Sequence, residues 1–210
     1  MKRRSTSSDP RGTRLRQRVA AEAARRMARD GLDIAAARRE AAEALGARHA
    51  GELPDADQIR EELRSYRALF DPEALDPARL RRQREAALEA MAFFGAFEPR
   101  LAGPVLDGSA GPADPVVLHL HADDPDAVAR LLHERGAPAR QRGARLKLAD
   151  GEWARVPCWE ISAGGQAFEL WVLPAAAARH APRDALGEGP LPRAGTDALR
   201  RLLDAGAPAP

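Results

Sequence analysis

Two histidines of this 210-residue chain, His119 and His121, have a spacing that could support metal binding. They alternate with leucines in the segment VVLHLH, and a two-residue period predicts a β-strand with both imidazoles on one face. Two imidazoles placed in this way could bind a metal ion such as zinc, with Asp123 or Glu169 as a third ligand. The alternative is the polar face of an edge strand or a half-buried strand. The spacing favours this alternative because it places only two ligands.

Three carboxylates follow closely, at Asp123, Asp124 and Asp126. A cluster of this kind could bind a metal ion. A helix start explains it better, because carboxylates near a helix N-terminus accept backbone N–H bonds and complement the helix dipole. Pro125 agrees with this prediction, since proline is favoured in the first turn of a helix.

Aromatic and thiol side chains collect in the last third of the chain. Trp153, Trp159 and Trp171 are predicted to pack in the core or on a sheet face; a platform for ligand stacking is the alternative. Cys158 is the only cysteine, so no disulfide forms within the chain. It lies in a strand-like run, where a free cysteine is typically a small buried hydrophobic residue.

The positive charge is concentrated near the N-terminus. Residues 1–50 contain 13 basic and 6 acidic side chains, a balance of +7, whereas the whole chain has a net charge of +2. Residues 13–46 could therefore engage nucleic acid or an acidic protein partner. The alternative is a solvated arginine-rich helix face, which is favoured because no aromatic residues are interleaved for stacking on bases. The arginine and alanine bias itself indicates a GC-rich bacterial genome.

The first half of the chain has the apolar periodicity of helices. Residues 1–12 are polar and predicted to be disordered, and residues 13–76 form a helical region. A helical hairpin is predicted over residues 13–46, and a third helix runs from Pro54 to Phe70. A fourth helix, over residues 77–94, opens the next domain.

After Pro99 the period changes to that of strands, and residues 77–175 are predicted to form an α/β domain. Gly164-Gly165 predicts a tight hairpin, and a helix starts near Asp123. Residues 176–210 form a tail rich in alanine, glycine and proline with a short helix over 196–203. The fold class is therefore α+β, with N-terminal helices followed by a small mixed β-sheet that has helices on one face. The predicted strands are Leu101 to Leu106, Val116 to His121, Arg140 to Leu148, Val156 to Ile161 and Ala167 to Leu173.

A helix precedes a strand that leads into Gly108-Ser109, and a second strand starts at Val116. Over residues 78–175 this layout resembles the nucleotidyltransferase superfamily. In that superfamily the Gly-Ser turn holds the triphosphate, two aspartates in an Asp-x-Asp strand hold magnesium, and a third carboxylate completes the metal site. The resemblance implies that Gly108 and Ser109 bind a nucleotide phosphate, with Asp114 as the first aspartate and Glu169 as the third carboxylate.

The second aspartate has no counterpart, because Val116 stands two residues after Asp114. If the strand is aligned one step later, His119 and His121 take the two positions, and again no Asp-x-Asp results. The resemblance therefore implies a divergent, non-catalytic protein that binds a nucleotide or another phosphate-bearing ligand, with magnesium or no cofactor.

The basic helix pair, the segment REAALEAMAFFGAFEPRLAGPVLDGSA and the strand VVLHLH also resemble an uncharacterised family of proteobacteria. Its members are sometimes labelled UDP-N-acetylmuramate–alanine ligase. The residues do not support that label, because such a ligase binds ATP through a glycine-rich loop ending in Gly-Lys-Ser/Thr, and neither Lys2 nor Lys147 lies in one.

No apolar run is long enough to span a membrane and no signal sequence is visible, so we expect a cytoplasmic protein without membrane association.

Overall fold

The computed structural model describes residues 10–72, 76–184, 186 and 189–205. These residues form two compact units that divide after Pro72. The first unit consists of three α-helices, α1 (Pro10–Asp30), α2 (Ile34–Leu45) and α3 (Ala56–Phe70), with a short 3-10 turn at Ala50–Glu52. Of the predicted disordered tail, residues 1–12, the first nine lie outside the described residues. The prediction is wrong for residues 10–12, because α1 begins at Pro10, three residues before its predicted start. Proline is favoured at this first helical position because its missing N–H would have no partner within the helix.

Local capping explains where the helices of the first unit begin and end. The Asp33 carboxylate accepts the backbone N–H of Ala36 at 2.8 Å, and α2 ends at Gly46 in the left-handed conformation with φ 70°. Asp55 and Gln58 form a reciprocal capping box at the start of α3. The buried side chains between the helices are mostly alanines, which let the helices approach closely; they are Val19, Ala20, Ala23, Ala24, Ile34, Ala37, Ala41, Ile59 and Leu63.

The second unit contains a mixed sheet of six strands in the order β3-β4-β5-β2-β1-β6. Neighbouring strands are antiparallel except β2 and β5, which are parallel. The described residues thus confirm an α+β fold with a mixed sheet. The strands are β1 (Arg100–Ala102), β2 (Val116–His121), β3 (Ala139–Lys147), β4 (Trp153–Ala163), β5 (Gln166–Leu173) and β6 (Arg193–Ala194). The helices are α4 (Pro77–Phe93), α5 (Pro104–Asp107), α6 (Ala127–Glu134) and α7 (Thr196–Ala205).

The two faces of the sheet are different. Leu118 and Leu120 of β2 pack with Leu170 of β5 and with side chains of α4, α6 and α7 in the main core. The opposite face carries His119 and His121, because alternate residues of a strand point to opposite sides. Part of this second face is covered by a 3-10 helix at residues 175–178, whose Ala177 is buried against it.

One predicted strand is wrong in its second half. The segment from Leu101 to Leu106 was expected to be extended throughout, but β1 ends at Ala102 and α5 begins at Pro104. Gly103 takes a φ of 72°, which glycine adopts readily and which ends the strand, and proline then occupies the first helical position. Among the described residues, no helix is both long and apolar enough to cross a bilayer.

Candidate functional site

The Gly108-Ser109 turn closes the short helix α5. Gly108 adopts the left-handed conformation with φ 82°, and Ser109 is only 2% exposed. The carboxylate of Asp107 accepts the backbone N–H of Ser109 at 2.9 Å and its hydroxyl at 2.5 Å. Both donors through which a serine would hold a phosphate are therefore bonded to a carboxylate of the same turn. Sequence reasoning did not identify Asp107, although its position two residues before a serine is typical of an Asx turn.

Asp114 lies in the loop between this turn and β2. Its carboxylate accepts the backbone N–H of Gly111 at 2.7 Å, and its carbonyl accepts from the Gln83 side chain at 3.4 Å. From the same helix α4, Arg84 donates to the carbonyls of Val105 and Leu106 at 3.0 Å each. Burial lowers the pKa of the Arg84 guanidinium. The loop is thus held on α4 by side chains that bind its backbone.

We expect that replacing Asp107 with alanine lowers the free energy of unfolding by about 1–3 kcal/mol, because it leaves two donors of the buried Ser109 without their acceptor. Asp107→Asn should cost less, since both bonds go to Oδ1 and an uncharged amide oxygen in that place still accepts them. Urea denaturation of both variants gives the measurement. An exposed carboxylate on α7, Asp197, provides a matched control as Asp197→Ala. Equal midpoints for Asp107→Ala and the control would show that the carboxylate does not stabilise the turn.

His121 is part of a buried polar network on the second face of the sheet. Its Nδ1 lies 2.8 Å from the carbonyl oxygen of Glu98, and its Nε2 lies 3.1 Å from a guanidinium nitrogen of Arg193. A carbonyl only accepts and a guanidinium only donates, so the imidazole is neutral with its proton on Nδ1. The same Arg193 nitrogen donates to the carbonyl of Ala177 at 2.9 Å. Both ring nitrogens of His121 are therefore used within the protein.

His119 is more deeply buried and less well bonded. Its side chain is 2% exposed, its ring centroid lies 5.9 Å from that of Trp171, and its Nδ1 has no hydrogen-bond partner among the described residues. Burial lowers the pKa of His119 to about 3, and the positive charge of Arg193 and the neighbouring His121 act in the same direction. Burial also lowers the pKa of His121, against the effect of its bond to Glu98. Both imidazoles are thus kept neutral at pH 7.

The residues suggested by the sequence do not form one centre. Glu169 on β5 pairs with Arg142 and accepts the indole N–H of Trp171 at 3.0 Å. Within the described ranges, no three His, Cys, Asp or Glu side chains lie close enough together to hold a metal ion. Gly108, Ser109 and Asp114 belong to the loop between α5 and β2. His121 bonds to Arg193 with His119 buried on the same strand face, and Glu169 belongs to an ion-pair cluster with Arg142.

The first unit carries a different kind of site on α1. Five arginines of this helix fall within about 60° of one another at 100° per residue, so they form one stripe. We call Arg11, Arg14, Arg18, Arg25 and Arg29 the arginine stripe; all are exposed except the half-buried Arg25. The buried side chains Val19, Ala20, Ala23 and Ala24 are on the other side of the helix. The helix is therefore held by its apolar face and presents its charged face to solvent.

Little negative charge compensates this stripe. Glu22 pairs with Arg25 at 2.7 Å and with Arg26 at 2.9 Å, and these arginines lower the pKa of its carboxyl group. Arg14, Arg18 and Arg29 form no ion pair in the part of the chain that the structure describes. The sequence predicted a basic helix pair, and the structure adds which of its guanidinium groups face solvent together.

No family model, curated protein or solved structure matches this chain. Among the sites described above, the arginine stripe is the one with exposed cations, Arg14, Arg18 and Arg29, that have no ion pair among the described residues. The loop after α5 and the His121 imidazole bond their polar groups within the protein, and His119 is buried beside His121.

Proposed function

We propose that this chain binds double-stranded nucleic acid through the arginine stripe of α1, largely without sequence preference. The stripe is the observation that supports the proposal. From Arg11 to Arg29 it is about 27 Å long at about 1.5 Å per residue. That length matches about eight base pairs at about 3.4 Å each, so several guanidinium groups can contact successive phosphates.

The composition of the stripe favours phosphates over an acidic protein. The exposed positions of α1 between its arginines include Thr13, Gln17 and Ala21 but no aromatic or large apolar side chain. Protein interfaces usually bury an apolar centre with aromatic anchors, whereas a phosphate backbone needs only well-placed cations. Arginine also binds phosphate with two parallel N–H bonds, which an ammonium group cannot do.

For the second unit we propose a divergent nucleotidyltransferase-like scaffold that does not catalyse transfer. The Asp107 carboxylate accepts both donors of Ser109, so the Gly108-Ser109 turn already binds an anion of its own. Nucleotide binding at this turn is the second candidate function, and it requires the phosphate to displace Asp107. Calorimetry with nucleoside triphosphates and magnesium tests it. Binding that increases in Asp107→Asn would support this candidate, and no heat in either protein would contradict it.

The test of the main proposal uses fluorescence anisotropy with a labelled 20-base-pair duplex over a range of salt concentrations. We expect affinity to fall steeply with salt, because each neutralised phosphate releases counterions. The triple variant Arg14→Gln/Arg18→Gln/Arg29→Gln should bind roughly thirtyfold more weakly at low salt. The slope of log Kd against log salt should become shallower by about 0.9 per lost contact.

A control variant removes the same charge elsewhere. Arg179, Arg200 and Arg201 are exposed in the second unit, and their replacement with glutamine should change the affinity for duplex by less than about twofold. Equal losses in the two triple variants would mean that net charge, not the stripe, determines binding. Absence of binding at low salt would overturn the proposal and favour an acidic protein as the partner.

A further inference from the structure

The ladder between β3 and β4 carries a second basic surface that sequence reasoning did not identify. Arg145 lies directly opposite Arg155, and the next pair along the ladder is Lys147 opposite Trp153. Paired residues in an antiparallel ladder share one face, so three cations and an indole stand together. Like charges directly opposite each other are destabilising in a sheet. Their presence here suggests a use that compensates for the cost.

The two arginines lean in opposite directions. The Arg145 guanidinium lies over the Trp153 ring, 5.0 Å from its centroid, and Trp153 is 55% exposed. Arg155 instead lies over Gly143, where a Cβ atom would come within 2.6 Å of its Nε. Gly143 thus leaves room for a guanidinium to lie flat on the strand. A shallow depression of about 380 Å³ is formed around Gly143, Arg155 and Pro157.

The opposite face of the same two strands is neutralised. There Arg142 pairs with Glu160 at 2.9 Å and with Glu169, and Arg140 lies 3.9 Å from Glu160. Arg145 and Arg155 have no ion pair with any residue that the structure describes. The Asp150 carboxylate in the nearby turn accepts the backbone N–H of Glu152 at 2.9 Å. The excess charge is therefore confined to the face that carries Trp153.

We propose that this surface, formed by Gly143, Arg145, Trp153 and Arg155, binds single-stranded nucleic acid. A base stacks on the exposed indole beside Arg145, and the flanking phosphates contact the two guanidinium groups. Cations together with an exposed aromatic ring form the combination by which proteins bind single strands without reading sequence. A duplex keeps its bases stacked inside and offers this surface only its phosphates, and the carboxylates of an acidic peptide supply no ring that stacks on the indole.

This inference shares a ligand class with the function proposed for α1 but no residue with its site. Duplex binding by the arginine stripe and single-strand binding by the strand surface can therefore be contradicted independently. The probe for the strand surface is a labelled 20-nucleotide oligothymidine, and the probe for the arginine stripe is the duplex. Both probes are measured with the full chain and with each set of variants.

We expect Trp153→Ala to weaken oligothymidine binding about tenfold and Trp153→Phe to weaken it less, because phenylalanine still stacks. Arg145→Gln/Arg155→Gln should cause a similar loss and a shallower salt dependence. Gly143→Val should also weaken binding by displacing Arg155; valine suits a strand, so the variant should remain folded. Duplex binding should change less than twofold in all of these variants. The control is Arg179→Gln/Arg201→Gln, which removes the same charge from exposed positions.

Several outcomes would overturn the inference. One is oligothymidine binding by Trp153→Ala that equals wild type while its circular dichroism spectrum is unchanged. Another is a loss in the Arg179→Gln/Arg201→Gln control as large as in Arg145→Gln/Arg155→Gln. If oligothymidine binding is lost only in the α1 triple variant, the single strand also binds the arginine stripe. The strand surface then has no role in nucleic-acid binding.

Discussion

Lowering the pH from about 6.5 to 5 is expected to destabilise the folded protein by about 2 kcal/mol through His119 alone, at about 1.4 kcal/mol per pH unit. In the unfolded chain this imidazole takes up a proton below its ordinary pKa of 6.5. In the folded protein, burial and the nearby Arg193 lower its pKa to about 3. Between these two pKa values the unfolded state binds more protons than the folded state, so the free energy of unfolding decreases as the pH falls. Well above pH 6.5, His119 is neutral in both states and makes no pH-dependent contribution.

The structure gives a geometric reason for this effect. His119 is enclosed between strands on the second face of the sheet, with Trp171 beside it and Arg193 and His121 as the nearby basic groups. The Nδ1 of His119 has no hydrogen-bond partner among the described residues, so no acceptor there would stabilise an added proton. The pKa of His121 is lowered as well, so its contribution has the same sign. Protonation of His121 would also remove the lone pair that accepts from Arg193.

His119→Leu tests this expectation. The variant should be as stable as wild type or more stable at pH 7, because it removes a buried nitrogen without a partner. It should lose about 2 kcal/mol less than wild type when urea denaturation is repeated at pH 5. His133→Gln, at an exposed position of α6, is the matched control and should follow the wild-type profile. Identical pH profiles for His119→Leu and wild type would contradict the assignment.

The elements that followed from the sequence are those set by local rules. The hairpin at Gly164-Gly165 is present because two consecutive glycines, at φ 58° and 77°, supply the left-handed conformations that a tight turn needs. The alternation in VVLHLH correctly placed β2 and put both histidines on one face. The helix α5 was instead predicted as part of a strand. A short apolar run has no periodicity that would distinguish a helix from a strand.

The partners of the candidate residues could not be predicted in the same way. His121 bonds to Arg193, which is 72 residues further along in a segment expected to be a tail. The charge of Arg193 also acts on His119. Pairing of β6 with β1 brings it there, and a two-residue strand gives almost no signal in the sequence. Arg145 and Arg155 become a pair only through the register of β3 and β4. Long-range pairing thus determined the sites, while the sequence determined their residue types.

Removing Arg193 is expected to lower the free energy of unfolding by about 2–4 kcal/mol. One of its nitrogens donates to both the Nε2 of His121 and the carbonyl of Ala177, and bonds from a charged donor contribute roughly 1.5–3 kcal/mol each. The loss is smaller than their sum, because burial lowers the pKa of the Arg193 guanidinium and the nearby Arg100 repels it. Arg193→Leu removes both bonds, whereas Arg193→Lys keeps a donor on a shorter chain and should lose less.

A second measurement distinguishes the hydrogen bonds and charge of Arg193 from the packing of its side chain. Because Arg193 is one of the causes that lower the pKa of His121, the pKa should rise towards its ordinary value in Arg193→Leu. Titration of the His121 imidazole by NMR measures this shift in the folded variant, and Arg201→Gln serves as an exposed control. A variant that loses stability without any change in the His121 titration would show that Arg193 acts only by filling space. If stability and titration both stay as in wild type, Arg193 does not hold the C-terminal segment on the sheet face that carries the two histidines. Both changes together would establish it as the residue that joins the C-terminal segment to the histidine face.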